Sequence, residues 1–305
     1  MRRLLLTLLA PVVLSLFSPG ALADGWTVEA AKRLPKERKG RKAPNGLPDG
    51  HVARARGGNV KSAWYGAPTR RYQHAILGDD IEAGSLIVKT ASGKQLRYDL
   101  DQAQVFEDRT PRLVDLDGFG DMEIVTIVSH RRKGGSIAVF SVIDDTLKLV
   151  AQTPYIGRSN RWLNIAGFGD FDGRGRGQIA AVWTPHIGGT LKFWTWTSAK
   201  SGKSASLTLA HEAWGFSNHA IGSREQNLSA VVDIDRDGVD DLALPSADRR
   251  ALRLVKVTGA GIEDLAVIPL PGEVSSTIFA KGEGQNVEFT LGLTNGKVVR
   301  VQRKN

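Results

Sequence analysis

The sequence predicts an all-β protein made of one repeated four-strand unit, and three observations carry the prediction. An acidic loop recurs at Asp115-Leu116-Asp117-Gly118-Phe119-Gly120, Asp170-Phe171-Asp172-Gly173-Arg174-Gly175 and Asp233-Ile234-Asp235-Arg236-Asp237-Gly238. Each copy reads D-x-D with a glycine five residues after the first aspartate, and the starts lie 55 and 63 residues apart, close to the period of four-stranded propeller blades with loop insertions. Each loop precedes a β-type run and then an alternating run beginning 22, 21 and 19 residues after the first aspartate. Beyond residue 60 almost no stretch has a helical period.

In chain order, Met1-Arg2-Arg3, an apolar run over residues 4–17 and Ala21-Leu22-Ala23 form the pattern of a cleaved export leader, residues 1–23, with Asp24 starting the mature chain. The run is shorter than the roughly 20 residues that span a bilayer. No later stretch is long and apolar enough, so an exported protein, periplasmic or secreted, without a transmembrane segment is expected. The lack of cysteine suits an oxidising compartment and excludes thiol nucleophiles, zinc-thiolate sites and iron–sulfur clusters.

Residues 24–58 read as a basic flexible arm, punctuated by Pro35, Gly40, Pro44, Asn45-Gly46 and Pro48. The formal net charge of +9 becomes +7 without Arg2 and Arg3, and residues 24–60, with nine basic and four acidic groups, carry +5 of it. Such an arm is either a solvated spacer or an adhesive for anionic envelope polymer or headgroups. It lacks the interleaved aromatics of a nucleic-acid binder, so no nucleic acid is expected.

Residues 59–305 form the repeated domain. The three clear units give strands at 123–128, 137–142 and 147–150, at 178–183, 191–196 and 207–210, and at 241–244, 252–257 and 265–270. A weaker unit precedes them (72–78, 86–90, 95–100, 105–106), and another follows (277–280, 287–293, 297–301) that stops after three strands. A spare run at 59–65 supplies the missing outer strand, which closes a ring and removes exposed sheet edges. The expectation is a β-propeller of five four-stranded blades. Six blades or an elongated array are the alternatives.

Asp233-Ile-Asp-Arg-Asp-Gly-Val-Asp-Asp-Leu with its flanking strands resembles the D-x-D-x-D-G-x-x-D loop of FG-GAP repeats, also called VCBS repeats, found in integrin α-subunit propellers and many exported bacterial proteins. The resemblance spans about residues 60–305, strongest at that loop. It implies calcium in the loops and a non-catalytic binding or scaffold role, and it names no ligand.

The residues support calcium separately. Carboxylates at every second position of a tight turn supply the oxygen ligands calcium takes, here Asp233, Asp235 and Asp237, with the Val239 carbonyl and Asp241 completing the set. Position twelve is Leu244 and strands flank the loop, which excludes an EF-hand. Asx-type turns without an ion are the alternative. A candidate second site comprises Asp115, Asp117, Asp121 and Glu123, with Phe119 at the fifth position. In the loop from Asp170, Arg174 and Arg176 neutralise the carboxylates and Gln178 takes the ninth position, so no ion is expected.

The chain has no G-x-S-x-G, H-E-x-x-H or G-x-x-x-x-G-K-[ST] motif. His74 and His219 share the context His-Ala-Ile in two units, either as packing histidines or as ligand contacts. Trp194 and Trp196 share one strand face, either packed between blades or stacking on sugar. An envelope protein or an anionic polysaccharide fits as partner. A lectin-like propeller and a polysaccharide hydrolase or lyase on the same scaffold are the alternative functions.

Overall fold

The computed structural model describes residues 25–36, 40–199 and 204–304; the expected leader lies outside them. Its β-type runs fold into antiparallel sheets. The first strand, β1 (Trp26–Ala30), is placed with the last sheet. Sheet I holds β2 (Ala53–Arg54), β3 (Val60–Thr69), β4 (Glu82–Thr90) and β5 (Gln95–Asp99). In sheet II, β6 (Gln104–Phe106) and β7 (Arg112–Val114) both pair with β8 (Glu123–His130), followed by β9 (Gly134–Ile143) and β10 (Thr146–Gln152). Ala83 also pairs with Phe106, joining these two sheets in one hydrogen-bonded path.

Sheet III runs β11 (Leu163–Gly169), β12 (Gln178–Trp183), β13 (Thr190–Thr197), β14 (Ser206–Trp214). Sheet IV runs β15 (Ala230–Val232), β16 (Asp241–Pro245), β17 (Ala251–Thr258), β18 (Gly261–Pro269). Sheet V contains β19 (Phe279–Lys281), β20 (Glu288–Gly292) and β21 (Val298–Arg303), with β1 against β21.

Strand periodicity explains how the sheets stack. Successive side chains point to opposite faces, and the middle strands are apolar on both. On β12, Ile179 and Ala181 enter the core shared with sheet II, while Ala180 and Val182 enter the core shared with sheet IV. On β16, Leu242 and Leu244 face sheet III and Ala243 faces sheet V. Sheets II, III and IV each shift register between third and fourth strand, a bulge repeated like the sequence.

Three expectations are corrected. The outer strand of the fifth sheet is β1, not the run at 59–65, which is the start of β3 inside sheet I. The signal was Trp26-Thr27-Val28, whose alternation buries Trp26 against Phe289 with ring centroids 6.3 Å apart. The run at 72–78 forms turns rather than a strand, because β3 already occupies that edge of β4. Finally, the described part of the arm is ordered by pairing: Ala53 and Arg54 lie against Ala63 and Ser62, Lys42 bridges to His51 and Gly46 to Gly66. Burial of Leu47 in the core of sheets I and II anchors it.

Gly189, at φ +44°, sits where the β13–β14 ladder of sheet III ends, and a Cβ there would overlap the main-chain oxygen of Phe216. Gly189→Ala is expected to cost at least about 2 kcal/mol through strain and displacement. Denaturant unfolding measures it.

Candidate functional site

Two places gather chemistry-bearing side chains: the acidic loops between the first and second strands of sheets II, III and IV, and a polar cluster where the connections between sheets meet.

The three loops share one hydrogen-bond scheme. The first aspartate accepts main-chain N–H groups from the loop's far side, Gly118 and Gly120 at Asp115, Arg174 and Gly175 at Asp170, and Arg236, Asp237 and Gly238 at Asp233. The ninth residue reaches back to the N–H of the second: Glu123 to Leu116 (2.9 Å), Gln178 to Phe171 (3.0 Å) and Asp241 to Ile234 (2.8 Å). These are the Asx turns that the sequence offered as an alternative.

What remains after the turns differs between loops. Asp233, Asp235 and Asp237 each bring an oxygen within 4.8 Å of the others, and so do Asp115, Asp117 and Glu123. Asp121 stands outside the second group, whose third member is the ninth-position Glu123. Asp241 also stands outside its group, but its Oδ1 is buried with no hydrogen-bond partner, as is Asp117 Oδ2. Desolvation, then the nearby Asp235 and Asp237, push the Asp241 carboxyl up to about 7. Lys256 Nζ lies 2.7 Å from Asp235 and 3.3 Å from Asp237, offsetting part of the negative charge. In the loop from Asp170, Arg176 pairs with Asp172 at 3.0 Å and Gln178 Nε2 donates to Thr195, so that loop is satisfied internally.

The second place begins at the gap between β6 and β7, where residues 107–111 leave the ladder. Glu107 and Asp108 there are fully buried. Glu107 Oε1 lies 2.5 Å from His74 Nδ1, its Oε2 accepts from Ser129, and its main-chain oxygen accepts from Trp162 Nε1 at 2.9 Å. Asp108 accepts from Tyr65 (3.0 Å), Gln226 (3.0 Å) and the Arg112 guanidinium. Desolvation holds the buried Glu107 and Glu82 carboxyls above the usual range, Glu107 adding to the effect at Glu82.

His74 and His219, paired in the sequence by their shared context, come together through a third histidine. His219 Nε2 lies 3.0 Å from the Ser223 carbonyl, which can only accept, so that nitrogen donates. Burial depresses His219 to about 3 and His186 to about 4, so both rings are neutral at pH 7. His219 Nδ1 therefore accepts from His186 Nε2 at 3.0 Å, leaving His186 Nδ1 as a lone pair. His74 and His186 line a cavity of about 360 Å³ together with Ile76, Trp162, Ile187 and Ile221.

These depressed values set a pH dependence. The stability that His186 and His219 contribute is present above the ordinary histidine value of 6.5 and is lost as pH falls through about 4 and 3. Arg249 and His74 face the pair and oppose its protonation. This contribution is expected to drop below pH 6.5 by up to about 1.4 kcal/mol per pH unit for each proton taken up on unfolding, against the opposite slope that the raised Glu82, Glu107 and Asp241 carboxyls set in the same range. His219→Asn should flatten that slope in denaturant melts between pH 4.5 and 7.

Trp194 and Trp196 do not reach solvent. Each is 5% exposed in the core between sheets II and III, with Trp183 stacked on Trp194 at 5.7 Å. Sheets covered on both faces leave no room for a sugar there. The exposed tryptophan is Trp214, at 72%. Sequence reasoning missed Glu82, Glu107, Asp108, Trp162 and His186. The nearest signal was an acidic pair, Glu107-Asp108, directly after the apolar run Val105-Phe106.

No family model matches the sequence, and no curated protein matches it. Among solved structures, the chain is similar to one described as BBS1N in complex with ARL6DN, soaked with mercury, at 8% identity and a TM-score of 0.43. That likeness covers 80% of this chain and 66% of the other, just under two thirds of its length. No helix among the described residues is long and apolar enough to cross a membrane.

Proposed function

We propose that the chain is an exported β-propeller of the FG-GAP/VCBS type, with five blades, that binds calcium in its acidic loops and serves as a binding or scaffold module of the cell envelope. Support for five blades comes from three four-stranded sheets and one nine-stranded sheet that divides into two units where β4 meets β6 only at Ala83 and Phe106, with β1 completing the last sheet next to β21. The leader pattern supports export.

The observation that carries calcium is the buried, unpartnered carboxylate oxygen in two loops, Asp241 Oδ1 and Asp117 Oδ2, beside converging carboxylates. An unmatched buried acceptor is costly, and a cation with oxygen ligands relieves it. The ligands would be Asp233, Asp235, Asp237, the Val239 carbonyl and Asp241 in one loop, and Asp115, Asp117 and Glu123 in the other. Calcium titration of the mature protein is expected to give two ions, one lost on Asp233→Ala and the other on Asp117→Ala, with Asp172→Ala unchanged. Absence of binding overturns the reading. Because Lys256 competes for Asp235 and Asp237, Lys256→Gln is expected to tighten the first site about fivefold.

One observation favours a second reading. A histidine held by a buried carboxylate at the wall of a cavity is a general acid–base arrangement, and His74 with Glu107 has it. This supports a polysaccharide hydrolase or lyase. Release of reducing or unsaturated ends from a polysaccharide, lost on His74→Asn, would favour it; no release from any anionic or neutral polymer would remove it.

A further inference from the structure

A separate cavity of about 1500 Å³ is walled by the described part of the arm on one side and by the connections around residues 109–112 and 223–227 on the other. Seven basic side chains line it against Asp49, Asp79 and Glu225. Two of those acids are already taken. Arg109 Nε lies 2.7 Å from Asp49, and Arg224 reaches Asp49 at 3.2 Å and Asp79 at 2.9 Å. Arg112 is committed to Asp108.

Arg41, Arg54 and Arg56 remain exposed, and among the described residues their guanidinium groups make no hydrogen bond or ion pair. Pairing fixes their backbone: Val52 N donates to Arg41 O at 2.9 Å, Arg54 lies opposite Ser62, and Ala55 N donates to Lys61 O at 3.2 Å. Uncompensated like charges held in a concave wall focus a positive potential into the cavity.

We propose that this cavity binds an acidic polysaccharide, a chain bearing carboxylate or sulfate groups, with Arg41, Arg54 and Arg56 as its charge contacts. Three features select that partner. A space of about 1500 Å³ exceeds what one small anion needs. A concave wall meets a threaded chain and turns away a flat membrane. Its lining holds no Trp, Tyr or Phe, so it offers no platform for the bases of a single-stranded nucleic acid. Arginine forks match carboxylate and sulfate oxygens in pairs.

This deepens the binding-module reading and rests on it. The two fail separately, since calcium titration reads the loops and polymer titration reads this cavity. The test titrates the mature protein, in constant calcium, with hyaluronate oligosaccharides and dextran sulfate. Neutral dextran, inorganic phosphate and anionic phospholipid vesicles are the comparisons. Two triple variants are used: Arg41→Ser/Arg54→Ser/Arg56→Ser, and a charge-matched Arg131→Ser/Arg132→Ser/Lys133→Ser elsewhere on the surface.

The expected result is at least tenfold weaker polymer binding for the first variant only. Its plot of log affinity against log salt should be shallower by about two to three. Circular dichroism melts confirm that both variants fold. Equal loss in both variants means bulk charge and overturns the proposal. So does phosphate binding as tightly as the polymers, vesicle binding that depends on the same three arginines, or no polymer binding.

Discussion

Trp26→Ala is expected to lower the unfolding free energy by about 3–5 kcal/mol, the range for truncating a large buried aromatic. Trp26 is 8% exposed, packs on Phe289 in the core of sheets IV and V, and carries the Arg303 guanidinium 4.9 Å above its ring. Beyond the cavity, the substitution loosens β1 from β21 and uncovers a strand edge at the C-terminus. Thr27→Ala, on the same strand but with one weak side-chain bond to Gln302 O at 3.3 Å, should cost under about 1 kcal/mol. Comparable small losses for both variants in urea melts would mean that β1 merely lies on the sheet, and the arm would revert to a spacer.

Asp108→Ala is the second large effect, expected at about 3–5 kcal/mol because it removes one side of a buried ion pair. The loss strands the Arg112 guanidinium, the Tyr65 hydroxyl and the Gln226 amide together. Gln226 in turn ties to β11, since Asn164 Nδ2 donates to the Gln226 carbonyl at 2.8 Å and to that of Asn218 at 3.0 Å. Asp108 thus couples sheets I, II and III to the connection before sheet IV. Asp108→Asn keeps the acceptor and loses the charge, so it should fall between native and alanine. An alanine variant as stable as native would show the cluster to be structurally idle.

Much of this fold could be read from the chain because its repeat is local. Loop chemistry, strand alternation and turn glycines sit within a few residues of one another, so 178–183 emerged with its bounds and the strands of units two to four within a few residues. The failures are long-range. Residues 26–30 and 298–303 are nearly the whole chain apart, so the short alternation at Trp26-Thr27-Val28 does not say which distant strand it joins. Glu107 went unmarked because its burial is imposed by His74, Ser129 and Trp162, residues 22–55 positions away. The histidine repeat was the better clue: His219 bonds His186, which lines one cavity with His74 and which the repeat does not mark. In the loops, spacing identified the carboxylates. It placed Glu123 with Asp115 and Asp117, as the structure does, but did not reveal that Asp121 and Asp241 would sit outside their groups.

The most direct test of the calcium-loaded propeller is thermal unfolding of the mature protein in calcium and in chelator, for the native sequence, Asp235→Ala and Asp117→Ala. An ion that binds only the folded chain stabilises it by about 2.7 kcal/mol per site at a hundredfold excess over the dissociation constant. For a protein of this size that corresponds to a rise of about 5–10 °C. The account predicts the full rise for the native protein and a reduced rise for each variant. Melting points that coincide in calcium and chelator for all three would contradict it, leaving the loops as turns alone.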